Sequence, residues 1–448
     1  MFGSAEATDM KKRRPLIVYI DSIGVAAAES IAETTARRGI AIAVIGPPGA
    51  LRTRDSRIAR FLETRDFSIA NLRRLLARLD RGYRIRGLYS LYGPYRADGF
   101  LHGAVATLAA ERGLSHSPPL ALAAATNKFF ARYCLAAAGV PDVPFGLASD
   151  ETSLIAIARG IGYPVVLKPL TGVGSSLIFR CRDDAEARRL WRRAMRQLPG
   201  AHYEQLRMAP HAIATAQGAV FAFDPSRSML VERYLPGREA SVECLVMGDR
   251  VVPLVVHDKL DVEEITGSVL EHLLVAPPLR FTRSEVRQLR SHAVAAVRAL
   301  GLRNTFCHVE LRWVDGLGPR ILEINPRVGA GCVADSIETF TNVRVDAVRV
   351  ALILGKRPAP VRMRRAPRHA MIFLFTPRSG TITRLDGLED VNEWDGVNAV
   401  RVISEVGDHV GGDTEEGFVA SIWLGAKDER EARRACARIQ KRVRIEVA

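Results

Sequence analysis

The segment Cys307–Gly331 concentrates side chains able to hold a charged phosphate. It reads Cys307-His-Val-Glu310-Leu-Arg-Trp-Val-Asp315-Gly316-Leu-Gly318-Pro-Arg-Ile-Leu-Glu323-Ile-Asn325-Pro326-Arg327-Val-Gly329-Ala-Gly331. Two apolar-alternating runs flank a Gly-rich turn, which predicts a β-hairpin. Folded symmetrically about Gly316 and Leu317, the hairpin sets Glu310 directly opposite Glu323, and the period of two puts Asn325 on the same face. Opposed like charges with Cβ atoms about 4.5–5.5 Å apart destabilise a sheet, so something positive belongs between them. Two carboxylates and an amide oxygen are hard ligands, of the kind Mg²⁺ takes when it also holds nucleotide phosphates. Arg327, just past the second strand, would sit where a phosphoryl group develops charge. The hairpin alone is equally compatible with an edge whose glutamates point to solvent, because a bulge would break the register and Asn-Pro also marks turns.

Lysine is rare in this Arg-rich chain, with eight in all: Lys11, Lys12, Lys128, Lys168, Lys259, Lys356, Lys427 and Lys441. A lysine inside an apolar motif then points to a need for a compact ammonium, which singles out Lys128, Lys168 and Lys259. Lys168 ends the apolar run Val165–Pro169, ahead of Leu170-Thr-Gly172-Val-Gly174-Ser175-Ser176. Small residues with free N–H groups and hydroxyls suit a flap over phosphates, although a Gly-rich hairpin turn has the same composition. No Gly-Lys-Ser/Thr follows these glycines, so the loop is not a Walker A motif, and it lacks the third glycine of the dinucleotide fingerprint.

These groups need a scaffold. Apolar strands at Leu16–Ile20, Ile40–Ile45 and near Gly87–Leu91 alternate with helices at Val25–Arg38, Ser68–Leu79 and up to Arg112, which predicts a doubly wound parallel sheet. Thr126 is placed to cap a helix that begins Asn127-Lys128 and stops at Gly139, so Lys128 stands beside free backbone N–H groups that favour an anion. Helices follow at Thr152–Arg159 and Asp184–Leu198, with a strand at Leu177–Arg180 behind the Gly-rich loop. Residues 199–228 look irregular. The run Met229–Val246 reads as strand, turn, strand, and Thr282 with Glu285 makes a capping box for a helix to Leu300. The expected organisation is a disordered tail at 1–14, an N-terminal domain at 15–124, a central region at 125–360 with a lobe at about 152–235, and a β-rich domain at 361–448.

The chain has 448 residues, too many for one core, with 48% hydrophobic and 25% charged residues as in ordinary globular proteins. A net charge of +15 and a pI near 10 raise a nucleic-acid reading, but Arg is scattered and aromatics are only 6%, so stacking platforms are scarce. Cys134, Cys181, Cys244, Cys307, Cys332 and Cys436 are widely spaced in apolar runs, which predicts reduced buried thiols and a cytoplasmic location. The basic start and Pro15–Ile20 imitate a signal peptide, yet Asp21 ends the apolar core too early, and no run approaches membrane-spanning length.

In this order, Val165-Val-Leu-Lys168-Pro169 with Gly172–Ser176, Val231-Glu232-Arg-Tyr-Leu235-x-Gly237-x-Glu239-x-Ser-Val-Glu243, and Val309-Glu310 with Leu322-Glu323-Ile-Asn325-Pro326-Arg327 resemble the ATP-grasp superfamily. Within it they resemble carboxylate–amine ligases that include bacterial L-amino-acid (dipeptide) ligases. The resemblance implies an α/β fold with an N-terminal doubly wound parallel-sheet domain, a central two-lobed ATP-binding region and a small β-rich C-terminal domain.

The resemblance also implies roles. Lys128 and Lys168, with the loop carrying Gly172, Gly174, Ser175 and Ser176, would hold the phosphates of ATP. Glu232 and Leu235 would grip adenine and Glu239 the ribose. Glu310, Glu323 and Asn325 would bind Mg²⁺, or Mn²⁺ in its place, and Arg327 would stabilise an acyl phosphate. His257, Lys259 and Glu271 lie in a segment that approaches the acceptor or the γ-phosphate in similar ligases, and Arg327 with the Gly329–Gly331 turn could bind a carboxylate. For His257 and Glu271 a solvated loop is the alternative, and Ser268–Leu274 departs from the Gly-His-x-x-Pro pattern of dipeptide ligases. The expected partners are small carboxylate and amine substrates and at most a second copy of the chain, without specific nucleic acid or membrane. A carboxylase similar to biotin carboxylase and a non-catalytic nucleotide-binding regulator remain open alternatives.

Overall fold

A computed structural model describes residues 13–21, 26–49, 56–91, 101–172, 174–200, 210–215, 217–265, 267–376, 378–411 and 416–448. The expected tail at 1–14 lies outside them up to residue 12, as does Val173 of the Gly-rich loop.

Strands β1 (Arg14–Ile20), β2 (Ala41–Gly46), β3 (Ile58–Glu63) and β4 (Tyr83–Tyr89) form a parallel sheet in the order β3-β2-β1-β4. The alternation of β1 sorts its neighbours. Leu16, Val18 and Ile20 pack with Leu72 and Leu76 of α2 (Ile69–Asp80) and Leu101 and Val105 of α3 (Leu101–Glu111). Ile17 and Tyr19 face Ile31 of α1 (Ala26–Ala36) and, less predictably, Val350 and Ile353 of the distant helix Val345–Ile353. Gly87 permits that closure, since a Cβ there would meet Ile353 Cγ2 at 2.3 Å.

Helix α4 (Pro119–Thr126) leads into α5 (Lys128–Ala137), and the cap differs from the expected one. Thr126 closes α4 by donating to the Leu122 carbonyl, while the Asn127 side chain accepts from Phe130 N and caps α5. Lys128 nevertheless opens the helix.

A lobe follows, built on β5 (Phe145–Ala148), β6 (Val165–Pro169), β7 (Phe179–Cys181) and β10 (Met229–Arg233), antiparallel in the order β5-β10-β6-β7. Its apolar face is covered by Leu154, Ile155 and Ala158 of α6 (Glu151–Ile161) and by Leu190, Trp191 and Ala194 of α7 (Asp184–Gln197). Of residues 199–228, which look irregular in the sequence, 201–209 and 216 lie outside the described residues, and the described part holds a regular hairpin. The hairpin β8 (His211–Ala214) and β9 (Val220–Phe223) packs Phe221 and Phe223 on Phe129, Phe130 and Tyr133 of α5.

The largest sheet has eight strands, all pairs antiparallel, in the order β15-β14-β11-β12-β13-β16-β20-β18. From its β15 edge inward, the first five members are β15 (Gly318–Asn325), β14 (Thr305–Val314), β11 (Arg238–Met247), β12 (Arg250–Ile265) and β13 (Ser268–Ala276). Along β11 and β14 one face is apolar, with Ala240, Val242, Cys244, Cys307, Val309 and Leu311 packed against Leu289, Ala293 and Ala296 of α8 (Arg283–Ala299). The alternate residues Glu239, Ser241 and Glu243 pair with Arg312, Glu310 and His308 and make a polar face. Thr282 and Glu285 form the expected capping box.

After α9 (Val333–Phe340) and α10 (Val345–Ile353), the strands β16 (His369–Phe375), β18 (Val397–Val402) and β20 (Phe418–Gly425) extend this same sheet. Strands β17 (Gly380–Asp386), β19 (His409–Val410) and β21 (Arg444–Val447) form a small sheet, and α12 (Glu429–Arg442), which follows α11 (Leu388–Asn392), packs against Ile372 and Ile382. All six cysteines are free, five buried and Cys134 half-buried. Among the described residues no helix is long and apolar enough to cross a membrane.

Candidate active site

The lobe sheet and the polar face of the large sheet enclose a cleft of about 350 Å³. Lys168, Ser175, Glu232, Leu235, Glu239, Glu271, Glu310 and Glu323 all line it. Segments far apart in sequence thus converge because both sheets turn alternate polar side chains toward one gap.

On the lobe side, β6 and β10 pair Lys168 with Leu230 and Val166 with Glu232, so Lys168 and Glu232 are diagonal neighbours on one face. Lys168 Nζ lies 2.5 Å from Glu232 Oε1. The other oxygen, Oε2, accepts from Arg132 Nε at 2.9 Å, and Arg132 also reaches Asp142 at 2.7 Å and the Ile321 carbonyl at 2.8 Å. Burial opposes the charge on Glu232, but Arg132 and Lys168 outweigh it and hold the carboxyl below its usual range. Arg132 is thus the strut that sets the orientation of Glu232. Sequence reasoning passed over it, although its i+4 spacing from Lys128 put it one turn along the same helix face.

Lys128 Nζ donates to the Gly172 carbonyl at 3.2 Å and to Glu323 Oε1 at 2.9 Å, tying the start of α5 to the Gly-rich loop and to β15. Gly174 and Ser176 hold the loop's own shape, Ser176 Oγ donating to the Gly174 carbonyl at 3.3 Å. At the turn after Leu235, Gly237 has φ +120, and a Cβ there would meet the Trp313 carbonyl oxygen at 2.0 Å. That close approach carries the chain from the lobe onto the large sheet.

The hairpin register is the expected one at its key pair, since Glu310 faces Glu323. The route to it is different. Val314 pairs with Gly318, so the turn centres on Gly316 alone, and a bulge beyond Leu311 and Ile321 restores the Glu310–Glu323 pairing. The positive partners are two lysines. Lys259, fully buried, sits among Glu239 (2.7 Å), Glu310 (3.1 Å) and Glu271. Burial disfavours its charge, yet the three carboxylates raise its pKa well above the ordinary range. Glu310 is held well below the usual carboxylate range by Lys259 and His308 against the cost of burial, whereas Glu271 is pushed up by burial and by its acidic neighbours despite Lys259.

His257, Gly331 and Arg327 stand outside this cleft, while Glu271, Glu239 and Asn325 keep to it or to its hairpin in settings of their own. His257 is a fully buried residue of β12, not part of a solvated loop, and its ring contacts Ser241 Oγ at 3.3 Å and Ser336 Oγ at 2.9 Å, away from the cleft. Glu271 likewise belongs to a strand, β13, because Val269–Leu273 continue the ladder with β12. Glu239 spends both oxygens on Lys259 and Arg312, the latter at 2.9 Å. Asn325 pairs with His308 at the end of the ladder. Gly331 turns toward β20, where a Cβ would meet Ser421 Oγ at 2.5 Å. Arg327 leaves the cleft for a neighbouring pocket of about 90 Å³, shared with Tyr89, Ser90, His102, Ser117 and Arg349. That pocket lies at the C-terminal end of β4, where open parallel sheets take ligands.

The donor set suits a hard divalent cation. Glu239, Glu271 and Glu310 offer oxygens within 4.8 Å of one another, with Lys259 set among all three and Arg312 on Glu239. Glu323 adds a further carboxylate across the ladder from Glu310. The chemistry is all-oxygen, as Mg²⁺ requires.

Residues 161–335 match the ATP-grasp domain family, and residues 372–448 match the L-amino acid ligase C-terminal domain 2 family. A D-alanine–D-alanine ligase of Azorhizobium caulinodans is 30% identical over 250 residues, covering 53% of this chain and 69% of that protein. An uncharacterised protein of Sinorhizobium fredii is 26% identical over 326 residues, 73% of this chain, and the chain spans only 60% of its length. The crystal structure of an L-amino acid ligase from Bacillus licheniformis superposes with a TM-score of 0.75 at 17% identity, covering 98% of this chain and all of that one, a likeness of fold.

Proposed function

The chain belongs to the ATP-grasp superfamily, and from that premise we propose that it is an ADP-forming ligase that joins a small carboxylate to a small amine. One observation carries the reading: a single cleft gathers Lys168, Glu232, Glu239, Glu310 and Glu323, next to the pocket of Arg327. The activities named for the similar proteins, D-alanine–D-alanine ligase and L-amino acid ligase, support amino acids as the substrate class.

A carboxylate at neutral pH is not electrophilic, so it is activated by attack on the γ-phosphate of ATP, giving an acyl phosphate and ADP. Capture by the amine then forms the amide and releases phosphate. In this reading Lys128 and Lys168 exchange their carboxylate partners for phosphate oxygens, which are more highly charged. Mg²⁺ held by Glu310 and Glu323 would neutralise charge on the terminal phosphates. Arg327 orients the donor carboxylate in its pocket, whose volume of about 90 Å³ is roughly three water volumes and suits a small substrate. No protein nucleophile is needed, because positioning and charge neutralisation supply the catalysis.

A screen of amino-acid pairs for phosphate release, run with and without bicarbonate, tests the activity. Oxygen-18 from a labelled donor carboxylate should appear in the phosphate, with amide accumulating only when amine is present. AMP and pyrophosphate as products would refute the mechanism, and strict dependence on bicarbonate would favour a carboxylase.

A further inference from the structure

We propose that His308 and Glu243 form a positioning pair that couples the Arg327–Gly331 turn to Glu310, so that seating a carboxylate on the turn and presenting Glu310 to Mg²⁺ are linked. The inference rests on the assignment of Glu310 to metal made above. The geometry is a continuous chain. Gly329 N donates to Glu243 Oε2 at 3.3 Å, Glu243 Oε1 takes a hydrogen bond from His308 Nδ1, and His308 Nε2 reaches Glu310 Oε1 at 3.4 Å.

The sheet fixes this chain in place. Glu243 faces His308 and Ser241 faces Glu310 in the β11–β14 ladder, so the three side chains share one face. Glu243 and His308 are 1% and 8% exposed, and water does not compete for their bonds. Glu310 then has its two oxygens assigned, Oε1 to His308 and Oε2 to Lys259 at 3.1 Å, so its carboxylate cannot rotate freely. Gly329 is small for a reason: a Cβ there would come within 2.8 Å of His308 Nδ1 and 2.9 Å of Val333 Cγ2. The turn rests on the pair, and any shift of the turn is felt at the histidine whose other nitrogen holds the metal carboxylate. A partner that orients a ligating group from behind typically affects metal affinity by about 10–100-fold.

The test uses the full chain with Glu243→Gln, His308→Asn and Gly329→Ala. Glu243→Gln strips a buried counter-charge at the risk of unfolding, so Gly329→Ala, on the partly exposed turn, is the variant that retains both charged side chains and presses on His308 through the added Cβ alone. ADP affinity is measured by calorimetry in EDTA and in Mg²⁺, Mn²⁺ affinity by electron paramagnetic resonance, and KM for the carboxylate by phosphate release. We expect ADP affinity in EDTA to stay within about twofold of wild type, while Mn²⁺ affinity and the Mg²⁺ enhancement fall about tenfold in all three variants. KM for the carboxylate should rise in parallel, with kcat less affected. Gly329→Ala with wild-type Mn²⁺ affinity would overturn the coupling. So would a uniform loss of ADP affinity, in EDTA and Mg²⁺ alike, which is what a merely structural role produces. If wild-type affinity for ADP ignores Mg²⁺, the metal assignment of Glu310 falls first and takes this proposal with it.

Discussion

Glu310 and Glu323 stand opposite each other on β14 and β15, and each is met by its own lysine, Lys259 at 3.1 Å and Lys128 at 2.9 Å. The two ammoniums differ in freedom. Lys259 is fully buried among three carboxylates, whereas Lys128 bonds one carboxylate and a loop carbonyl. Lys259→Met should therefore leave buried charge uncompensated and lower stability in EDTA by about 3–5 kcal/mol. Millimolar Mg²⁺ should raise the variant's Tm more than that of wild type, since the cation takes over the missing charge. Equal Mg²⁺ shifts in both proteins, by scanning calorimetry, would argue that these carboxylates do not take metal.

Glu232 holds a lysine on one oxygen and Arg132 on the other, and the two cations have separable jobs. Arg132 also satisfies Asp142 and the Ile321 carbonyl in a buried setting, so Arg132→Met should cost about 3–5 kcal/mol in urea unfolding. Lys168→Ala leaves Glu232 paired with Arg132. It should cost little stability and weaken ATP binding severely. A severe stability loss in Lys168→Ala with ATP affinity intact would reverse these roles.

The sequence conveyed the scaffold well where periodicity was strong. The alternation Glu239-Ala-Ser241-Val-Glu243 announces a strand with one polar face, and the structure shows that face opposite Arg312, Glu310 and His308. The Glu310–Glu323 pairing was legible too, although the assumed symmetric turn and the actual bulge reach it by different routes. Long-range packing was not legible. Nothing local tells that Val350 and Ile353 close the N-terminal sheet, or that Arg132 bonds Glu232 a hundred residues on. Nor does an isolated His257 reveal that it lies inside a strand between Ser241 and Ser336.

Burial of that histidine makes a pH prediction. Burial pushes the imidazole of His257 down to about 4, so it folds neutral. The unfolded chain binds a proton near the ordinary value of about 6.5, so between pH 6.5 and 4 acid favours unfolding. Stability is full above pH 6.5 and is lost as pH falls through this window, by roughly 3 kcal/mol at most from this group. His257→Gln should flatten the decline of Tm between pH 6.5 and 4. An unchanged slope in the variant would assign the decline to other groups, the carboxylates or His102 and His292, whose rings burial also pushes down to about 4.

Glu416, from the segment just before β20, brings the C-terminal part of the chain to the cleft between the lobe and the large sheet. Its backbone N–H donates to the Gly174 carbonyl at 3.4 Å, and its side chain reaches Ser175. Burial, with Glu271 and Glu310 adding to it, pushes its carboxyl up to about 8 despite Ser175 and Lys259. Below that pH the group is neutral beside Glu310. Above it, one more negative charge faces the cleft that takes the polyphosphate in the proposed reaction, and like charges at such range cost binding energy in a partly desolvated setting. ADP affinity measured in EDTA should therefore fall as pH rises through about 8, and Glu416→Gln should abolish that fall without lowering affinity at pH 7. Persistence of the same pH dependence in Glu416→Gln would assign the titration to another group, and a large loss at pH 7 would show that Glu416 supports the Gly174–Ser175 turn through more than its charge.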